Sequence, residues 1–537
     1  MHYFRFLLFT MALCPWLTWA SPPPTTAAQL DSASAAAAFL ARADFLEAHS
    51  RLMDLESQVL QLVADEPLKL GALGEAILAI YPASQTGHYA LKTFYGHVEA
   101  TETYNRHTEN LLEIQNQMLS QGNGSQTSPY PIMTIYDGQT YALSRGETTV
   151  GAMYQRTEAT NLGYLLAAQP SKGALTYYSF NLAELLDRYN AAQEEPPEGN
   201  NPWRLIREAA TDMDSAAQTA IGAYLARIEQ YKQAIGWLRV GARPGNILAN
   251  TILARVYHTQ SSGTQDASEK AQFKDLALDN HMQAIALGST ESMYTLANLY
   301  LGDYYGEENR GAGIPLLQQA GELGHAESLI YLGHLFSIGK EVEQDITQAG
   351  LYFEQAAKQE NPDAILNYGR FVFTSREPPA NQHLFEWLDR LARKKNPEAM
   401  IILGNLYARG VGVTSSTRKA VSWYKKAARQ APDDADIINE VAWTLTVSDV
   451  DGLKRVKFAR RIMDKLMKNV PDAAGRPEYL DTWAAAYAAN GQNDKAIELQ
   501  QQAIEVAKEQ ARDDVLDILE LHMDQFKSGE TITEPAP

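Results

Sequence analysis

Four stretches of this 537-residue chain repeat one another at a nearly constant interval. Glu291-Ser292 precedes Leu296-Ala297-Asn298-Leu299-Tyr300, and Ala326-Glu327-Ser328 precedes Leu332-Gly333-His334-Leu335-Phe336. Pro362-Asp363-Ala364 precedes Tyr368-Gly369-Arg370-Phe371, and Pro397-Glu398-Ala399 precedes Leu403-Gly404-Asn405-Leu406-Tyr407. The small residue recurs at Ala297, Gly333, Gly369 and Gly404, at intervals of 36, 36 and 35. Self-similarity at that period predicts stacked helical hairpins, because a single hairpin cannot bury its own apolar face and needs neighbours.

The fullest unit shows the mechanics. Ala399 to Arg409 places Leu403, Leu406 and Tyr407 on one helical face around Gly404, and Gly410-Val411-Gly412-Val413 turns the chain. Ala420, Trp423, Ala427 and Ala428 line the returning helix. Gly404 and Ala420 let the two helices approach closely, while Trp423 and Tyr424 fill the space beside them.

LGNLYARGVGV, a spacer and KAVSWYKKAARQ resemble the Sel-like repeat, the longer-looped relative of the tetratricopeptide repeat. The unit from 326 to 358 matches as well; those at 291 and 362 lack the glycine-rich loop, and Thr374 to Ala380 with Pro378-Pro379 is an irregular substitute. Ala254 and Gly222 upstream and Ala442 beside Trp443 downstream sit in similar helices. Ala484, Tyr487, Gly491, Ala496 and Ala503 fall at the spacing of the tetratricopeptide repeat itself. The expectation is an all-α chain: an α/α solenoid of about seven Sel-like and tetratricopeptide-like hairpins over 203–506. A capping helix and frayed tail follow at 507–537.

In both families the repeats bind other proteins, so the resemblance implies a protein partner; it assigns no catalytic, cofactor or metal residue. Asn298, His334, Arg370 and Asn405 each follow the small packing residue and recur in register, which makes them the candidate ladder of contacts for that partner.

The run Glu194-Glu195-Pro196-Pro197-Glu198-Gly199-Asn200-Asn201-Pro202 breaks any regular element and separates an N-terminal part, 30–195, from the repeats. Residues 21–195 hold 9 Lys and Arg against 19 Asp and Glu, and 196–537 hold 36 against 46, so the first part is twice as acidic per residue. Helical patterns run over Ser34 to Leu60, Tyr89 to Met118 and Leu182 to Asn190. Tyr130 to Tyr136 and Gln139 to Leu143 flank Asp137-Gly138, which predicts one small β-hairpin in this otherwise helical domain.

The first 20 residues have the pattern of an export signal: Arg5, the apolar run Phe6 to Leu13, and Ala20 at the cut before Ser21. Pro15 interrupts a run too short to span a bilayer, so no stable membrane span is expected after cleavage. The only cysteine, Cys14, lies inside this segment behind Leu13 and before Pro15, which argues against a lipid anchor. Cleavage would leave a cysteine-free chain, with neither disulfides nor thiol chemistry. These features predict a periplasmic or secreted protein whose partners belong to the cell envelope. The net charge of −19 argues against nucleic acid, whose phosphates call for a basic stripe.

Three patterns invite chemistry. Ser416 with Lys419 and Ser422 with Lys425 have the Ser-x-x-Lys spacing of acylating serine enzymes, but both belong to the repeat and no Lys-Thr-Gly partner exists. The glycine pairs in Gly410-Val411-Gly412 and Gly122-Asn123-Gly124 lack the remainder of a phosphate-binding loop and read as turns. His97, Glu99, Glu102 and His107, with His88, are the residues on which an envelope enzyme with its active site in the N-terminal part would rest. A histidine spacing of ten puts His97 and His107 on different helical faces, against a zinc site. The scaffold is thus the primary reading, with that enzyme and a secreted host-binding repeat protein as alternatives.

Overall fold

The computed structural model describes residues 31–192, 201–375 and 383–534. The signal segment at 1–20, most of the Glu194–Pro202 run and Pro378-Pro379 lie outside these residues. Among the described residues no helix is long and apolar enough to cross a membrane.

The described residues open with five α-helices, α1 (Ser32–Leu40), α2 (Phe45–Leu62), α3 (Leu70–Ile80), α4 (Gln85–His97) and α5 (Thr101–Ser120). Strand β1 (Tyr130–Pro131), helix α6 (Ile135–Ser144) and strands β2 (Thr148–Gln155), β3 (Gly163–Gln169) and β4 (Thr176–Asn181) follow, then α7 (Ala183–Ala191) and α8 (Trp203–Thr211). The four strands form one sheet in the order β1-β4-β3-β2, with β1 parallel to β4 and Tyr130 opposite Phe180. The remainder is helical hairpins: α9 (Ser215–Arg227) with α10 (Tyr231–Ala242), α11 (Ile247–Gly263) with α12 (Ala267–Ala286), and α13 (Thr290–Leu301) with α14 (Gly313–Glu322). Next come α15 (Ala326–Ile338) with α16 (Ile346–Ala357), α17 (Pro362–Ser375) with α18 (His383–Arg393), and α19 (Pro397–Arg409) with α20 (Thr417–Gln430). The stack closes with α21 (Ala435–Val447) and α22 (Val456–Asn469), α23 (Pro477–Ala488) and α24 (Asn493–Glu509), and the capping helix α25 (Asp513–Ser528).

By their internal contacts the residues group into two compact units. The first takes in the chain up to Arg145 with 155–165 and 178–205; the second takes in 146–154, 166–177 and everything from Ile206. In the first unit Phe39, Phe45, Leu52, Leu70, Ile77 and Met133 form the core. Helices α3 and α4 cross where Gly74 and Gly87 face each other: a Cβ on Gly74 would lie 2.6 Å from Leu91 and one on Gly87 2.7 Å from Ile77.

The expected hairpin across Asp137-Gly138 is not there. Thr134 caps α6 by accepting the Asp137 N–H, and Asp137-Gly138 occupies that helix's first turn, where a buried face turned toward Phe180 requires glycine. A cap three residues earlier thus overrides the turn signal. The two long helical patterns are also each divided, at 41–44 and at 98–100, where Glu99 adopts a positive φ of 59°.

Among the described residues the second unit holds eight hairpins, one more than the period suggests, and seven of them begin in the same way. The side chains of Asp214, Asn246, Ser289, His325, Asn361, Asn396 and Asp434 accept N–H groups of the first turn. Eight positions beyond each cap stands a small residue: Gly222, Ala254, Ala297, Gly333, Gly369, Gly404 and Ala442. Ala484 keeps the spacing in the last hairpin, whose α23 begins at Pro477 instead of a side-chain cap. Large residues of the returning helices occupy the space so opened: Leu238 against Gly222, Phe353 against Gly333 and Tyr424 against Gly404. Tyr424 is buried, whereas Trp423 packs only one part against the core and carries Lys426 Nζ 3.9 Å from its ring centre. Ala420, Ala484 and Ala496 are fully buried, and half-buried Tyr487 donates its hydroxyl to Asp464 at 3.0 Å.

The described part of the tail is not frayed. Ile532 is buried with Val447, Ala484 and Phe526, and Glu534 exchanges backbone hydrogen bonds with Val447 and Asp449 across a bridge to Ser448. His522 ties this end together, with Nδ1 2.9 Å from Asp481 and Nε2 3.5 Å from Glu534.

A Cβ at Gly404 would lie 2.7 Å from the Tyr424 ring. Gly404→Leu is therefore expected to force α19 and α20 apart, costing about 1 to 3 kcal/mol by overpacking. Thermal melting checks this; an unchanged Tm would show that the register of small and large residues is wrong.

Candidate functional site

The four ladder residues lie where the period puts them, on the first helices of successive hairpins, and each already has work inside the stack. Asn298 Nδ2 donates to the Tyr294 carbonyl of its own helix at 2.8 Å. His334, exposed, stands 3.3 Å from Asn367 Oδ1 on the next first helix and meets the Phe353 ring edge to face. Arg370 pairs with Glu398, again one hairpin onward. Asn405 accepts the buried Tyr424 hydroxyl at 2.6 Å. His334 and Arg370 thus link one repeat to the next while also presenting exposed surface, whereas Asn298 and Asn405 are held within their own hairpins.

A second surface went unremarked in the sequence because whole-chain acidity hides it. Within a chain of net charge −19, residues 383–470 hold 17 Lys and Arg against 10 Asp and Glu. Helix α20 carries Arg418, Lys419, Lys425, Lys426 and Arg429 and no acid; α22 carries five cations against Asp464 alone. The Phe458 ring of α22 lies beneath both Lys425, at 5.4 Å, and Arg461, at 5.2 Å, which brings the two basic faces together. Among the described residues Arg418, Lys426, Arg429, Lys457 and Lys468 enter no ion pair. Uncompensated cations over aromatic rings suit an anionic partner surface.

The sequence model of the Sel1 repeat matches residues 290–325, 326–361 and 397–432. The chain carries Sel1 repeats. It is 31% identical over 127 residues, 23% of its length, to a chitin synthase regulator of Saccharomyces cerevisiae, and 24% identical over 245 residues, 45% of its length, to an uncharacterized protein of Neisseria meningitidis serogroup B. It spans 18% and 50%, respectively, of the length of these relatives. Among solved structures it is similar to a protective antigen of uropathogenic Escherichia coli with an SLR fold: 19% identity, TM-score 0.42, covering 64% of this chain and 72% of that one. A Sel1 repeat protein from Oxalobacter formigenes gives 18% identity and a TM-score of 0.41, covering 56% of this chain and 86% of that one. Sel1 repeat proteins are in general protein-interaction scaffolds.

The three matched Sel1 units correspond to α13–α14, α15–α16 and α19–α20. They explain the Ser-x-x-Lys pattern: Ser416 is the N-cap of α20, its hydroxyl oxygen accepting the Lys419 N–H. Gly122-Asn123-Gly124 is likewise a turn, closed by hydrogen bonds to the Ser128 carbonyl.

Outside the Sel1 repeats, the N-terminal histidines divide. His88 and His107 meet, Nδ1 to Nδ1 at 3.0 Å, and burial pushes each down to about 4, whereas His97, Glu99 and Glu102 are exposed and stand apart. A further buried titratable pair is one that no motif announces. Glu56 of α2, fully buried, accepts the hydroxyls of Ser84 at 2.6 Å and Thr134 at 2.5 Å, the residues that cap α4 and α6. Beside it Asp137 accepts the Gln85 N–H at 2.9 Å. Burial, reinforced by Asp137, holds Glu56 well above the usual carboxylate range, and burial pushes Asp137 up to about 7.

Both carboxyls bind protons more tightly in the folded chain than in the unfolded one. Their contribution to the stability of the first unit is therefore fully present below the unfolded value of about 4 and is lost as pH rises through about 7. Hydrogen exchange at the α4 and α6 amides is expected to show weaker protection at pH 8 than at pH 5, after correction for intrinsic exchange, with a smaller difference in Asp137→Asn. Equal pH dependence in the two proteins would contradict the assignment.

Proposed function

We propose that this chain is an exported adaptor, carried to the periplasm by residues 1–20, whose Sel1 hairpins hold a protein partner of the cell envelope. The carrying observation is the Sel1 match itself, on a surface that exposes side chains in register. Export rests on the signal pattern of residues 1–20. The proposed contact line is Asn298, His334, Arg370 and Asn405. The unpaired cations of α20 and α22 favour a second reading, in which an acidic segment of the partner docks there. Secretion beyond the envelope to a host protein would use the same surfaces.

A tagged chain is expected to fractionate with the periplasm after losing about 20 residues; full-length product in the cytoplasm would contradict export. Crosslinking in intact cells followed by affinity capture then separates the surfaces. His334→Ala with Arg370→Ala is expected to weaken capture about thirtyfold with folding retained, each contact contributing about 1 kcal/mol. Loss of capture only in Lys425→Glu with Lys426→Glu and Lys457→Glu would move the contact to the basic face, and capture that survives both sets would remove it from the repeats.

A further inference from the structure

The first unit encloses a half-open cavity of about 280 Å³, near the lower end of the roughly 300–1,000 Å³ typical of small-molecule sites. Its wall is apolar where Ala36 and Leu40 of α1, Ile114 and Met118 of α5, and Met133 before α6 line it. Its charged residues are both acidic. Asp137, Glu184 and Tyr81 line it together with glutamine amides, and no Lys, Arg or His is among the lining residues.

Two features of that polar cluster point to a missing ligand. Asp137 is 3% exposed and close to Glu56, with backbone N–H groups as its donors and no cation to offset its charge once ionised. Tyr81 is 6% exposed, yet among the described residues its hydroxyl has no hydrogen-bond partner. Burial first, and then the carboxyls of Asp137, Glu56 and Glu184, raise that hydroxyl above the ordinary phenol range. The hydroxyl is not among the fully buried atoms and, on a residue that lines the cavity, is free to meet what fills it. Here it lies among carboxyls at the wall of a cavity, in a unit that is itself acidic and so concentrates cations.

We propose that this cavity binds a small organic ammonium compound, a primary amine on an apolar body of leucyl or hexyl size. The ammonium donates to Asp137 and to the Tyr81 oxygen, with Glu184 at the rim drawing it in. The apolar body lies against Ala36, Leu40, Met118 and Met133. An inorganic cation would leave that wall unused, and an anion would meet two carboxyls. The amine can come from a free alkylamine or from the N-terminus of a peptide, which present the same head group.

The test is methyl NMR on the full chain labelled at its methionine methyl groups, with Met118 and Met133 as reporters. Hexylamine, the dipeptide Leu-Ala, N-acetyl-Leu-Ala, hexanol and hexanoate are titrated separately at pH 8. Saturable shifts at Met118 and Met133 are expected with hexylamine, and at least tenfold weaker binding of hexanol and hexanoate. If Leu-Ala binds and its acetylated form does not, the source is a peptide N-terminus; if hexylamine alone binds, it is a free amine; both support the site. Asp137→Asn is expected to weaken binding at least tenfold. Because Asp137 also holds the starts of α4 and α6, Glu184→Gln at the exposed rim and Ala36→Phe, which fills the wall, are measured beside it. Glu184→Gln is expected to weaken binding severalfold and Ala36→Phe to block it. Absence of saturable shifts, hexanol binding as tightly as hexylamine, or full binding by a folded Ala36→Phe protein would overturn the proposal.

Discussion

The repeat unit depends on one distance along a helix: the eight residues between a capping side chain and a small residue. The cap fixes where each first helix begins, contributing about 1 kcal/mol by satisfying N–H groups that would otherwise be unpaired. Eight residues on, two turns and a fraction, the absence of a side chain lets the returning helix come close. Phe353 or Tyr424 then fills the space that Gly333 or Gly404 leaves open. Helix start and helix contact are thereby locked to each other, and hairpins of different length and loop chemistry stack in one register. The residues just past the small ones, His334 and Arg370, reach the next first helix for the same reason.

The first unit solves a similar problem by different means. Glu56 gathers two cap hydroxyls, from Ser84 and Thr134, so that a single buried carboxyl positions the starts of α4 and α6. This arrangement carries a charge that burial opposes, and it places Asp137 at the wall of a cavity. A purely structural device could have used an uncharged residue at lower desolvation cost. A carboxyl that ionises near neutral pH beside an unpartnered phenol is the kind of site where binding chemistry is found.

The solenoid was legible because close helix approach admits only glycine or alanine, which leaves a visible mark every 35 or 36 residues from Ala297 to Gly404. The cap column was present in the same sequence but spread over Asp, Asn, Ser and His, so no single letter recurs. Asp137-Gly138 misled because a turn pair and a helix first turn favour the same residues, and only Thr134 distinguishes them. Glu56 and Asp137 are 81 positions apart and join no motif; their proximity is a product of tertiary folding. The basic face of α20 and α22 was masked by averaging charge over an acidic chain, and Ile532 gave no sign that the tail would dock.

The central claim is that the second unit is a register of equivalent hairpins set by that spacing, and deletion tests it most directly. Removing residues 326–361, one whole period, joins His325, which then caps the start of α17, to Pro362 and leaves Gly369 eight residues beyond that cap; removing 326–365 takes four more residues and leaves Gly369 only four residues beyond it. The account predicts that the first variant retains a cooperative melt and the helicity of its remaining residues, while the second loses both over the neighbouring hairpins. Equal stability of the two deletions would contradict it.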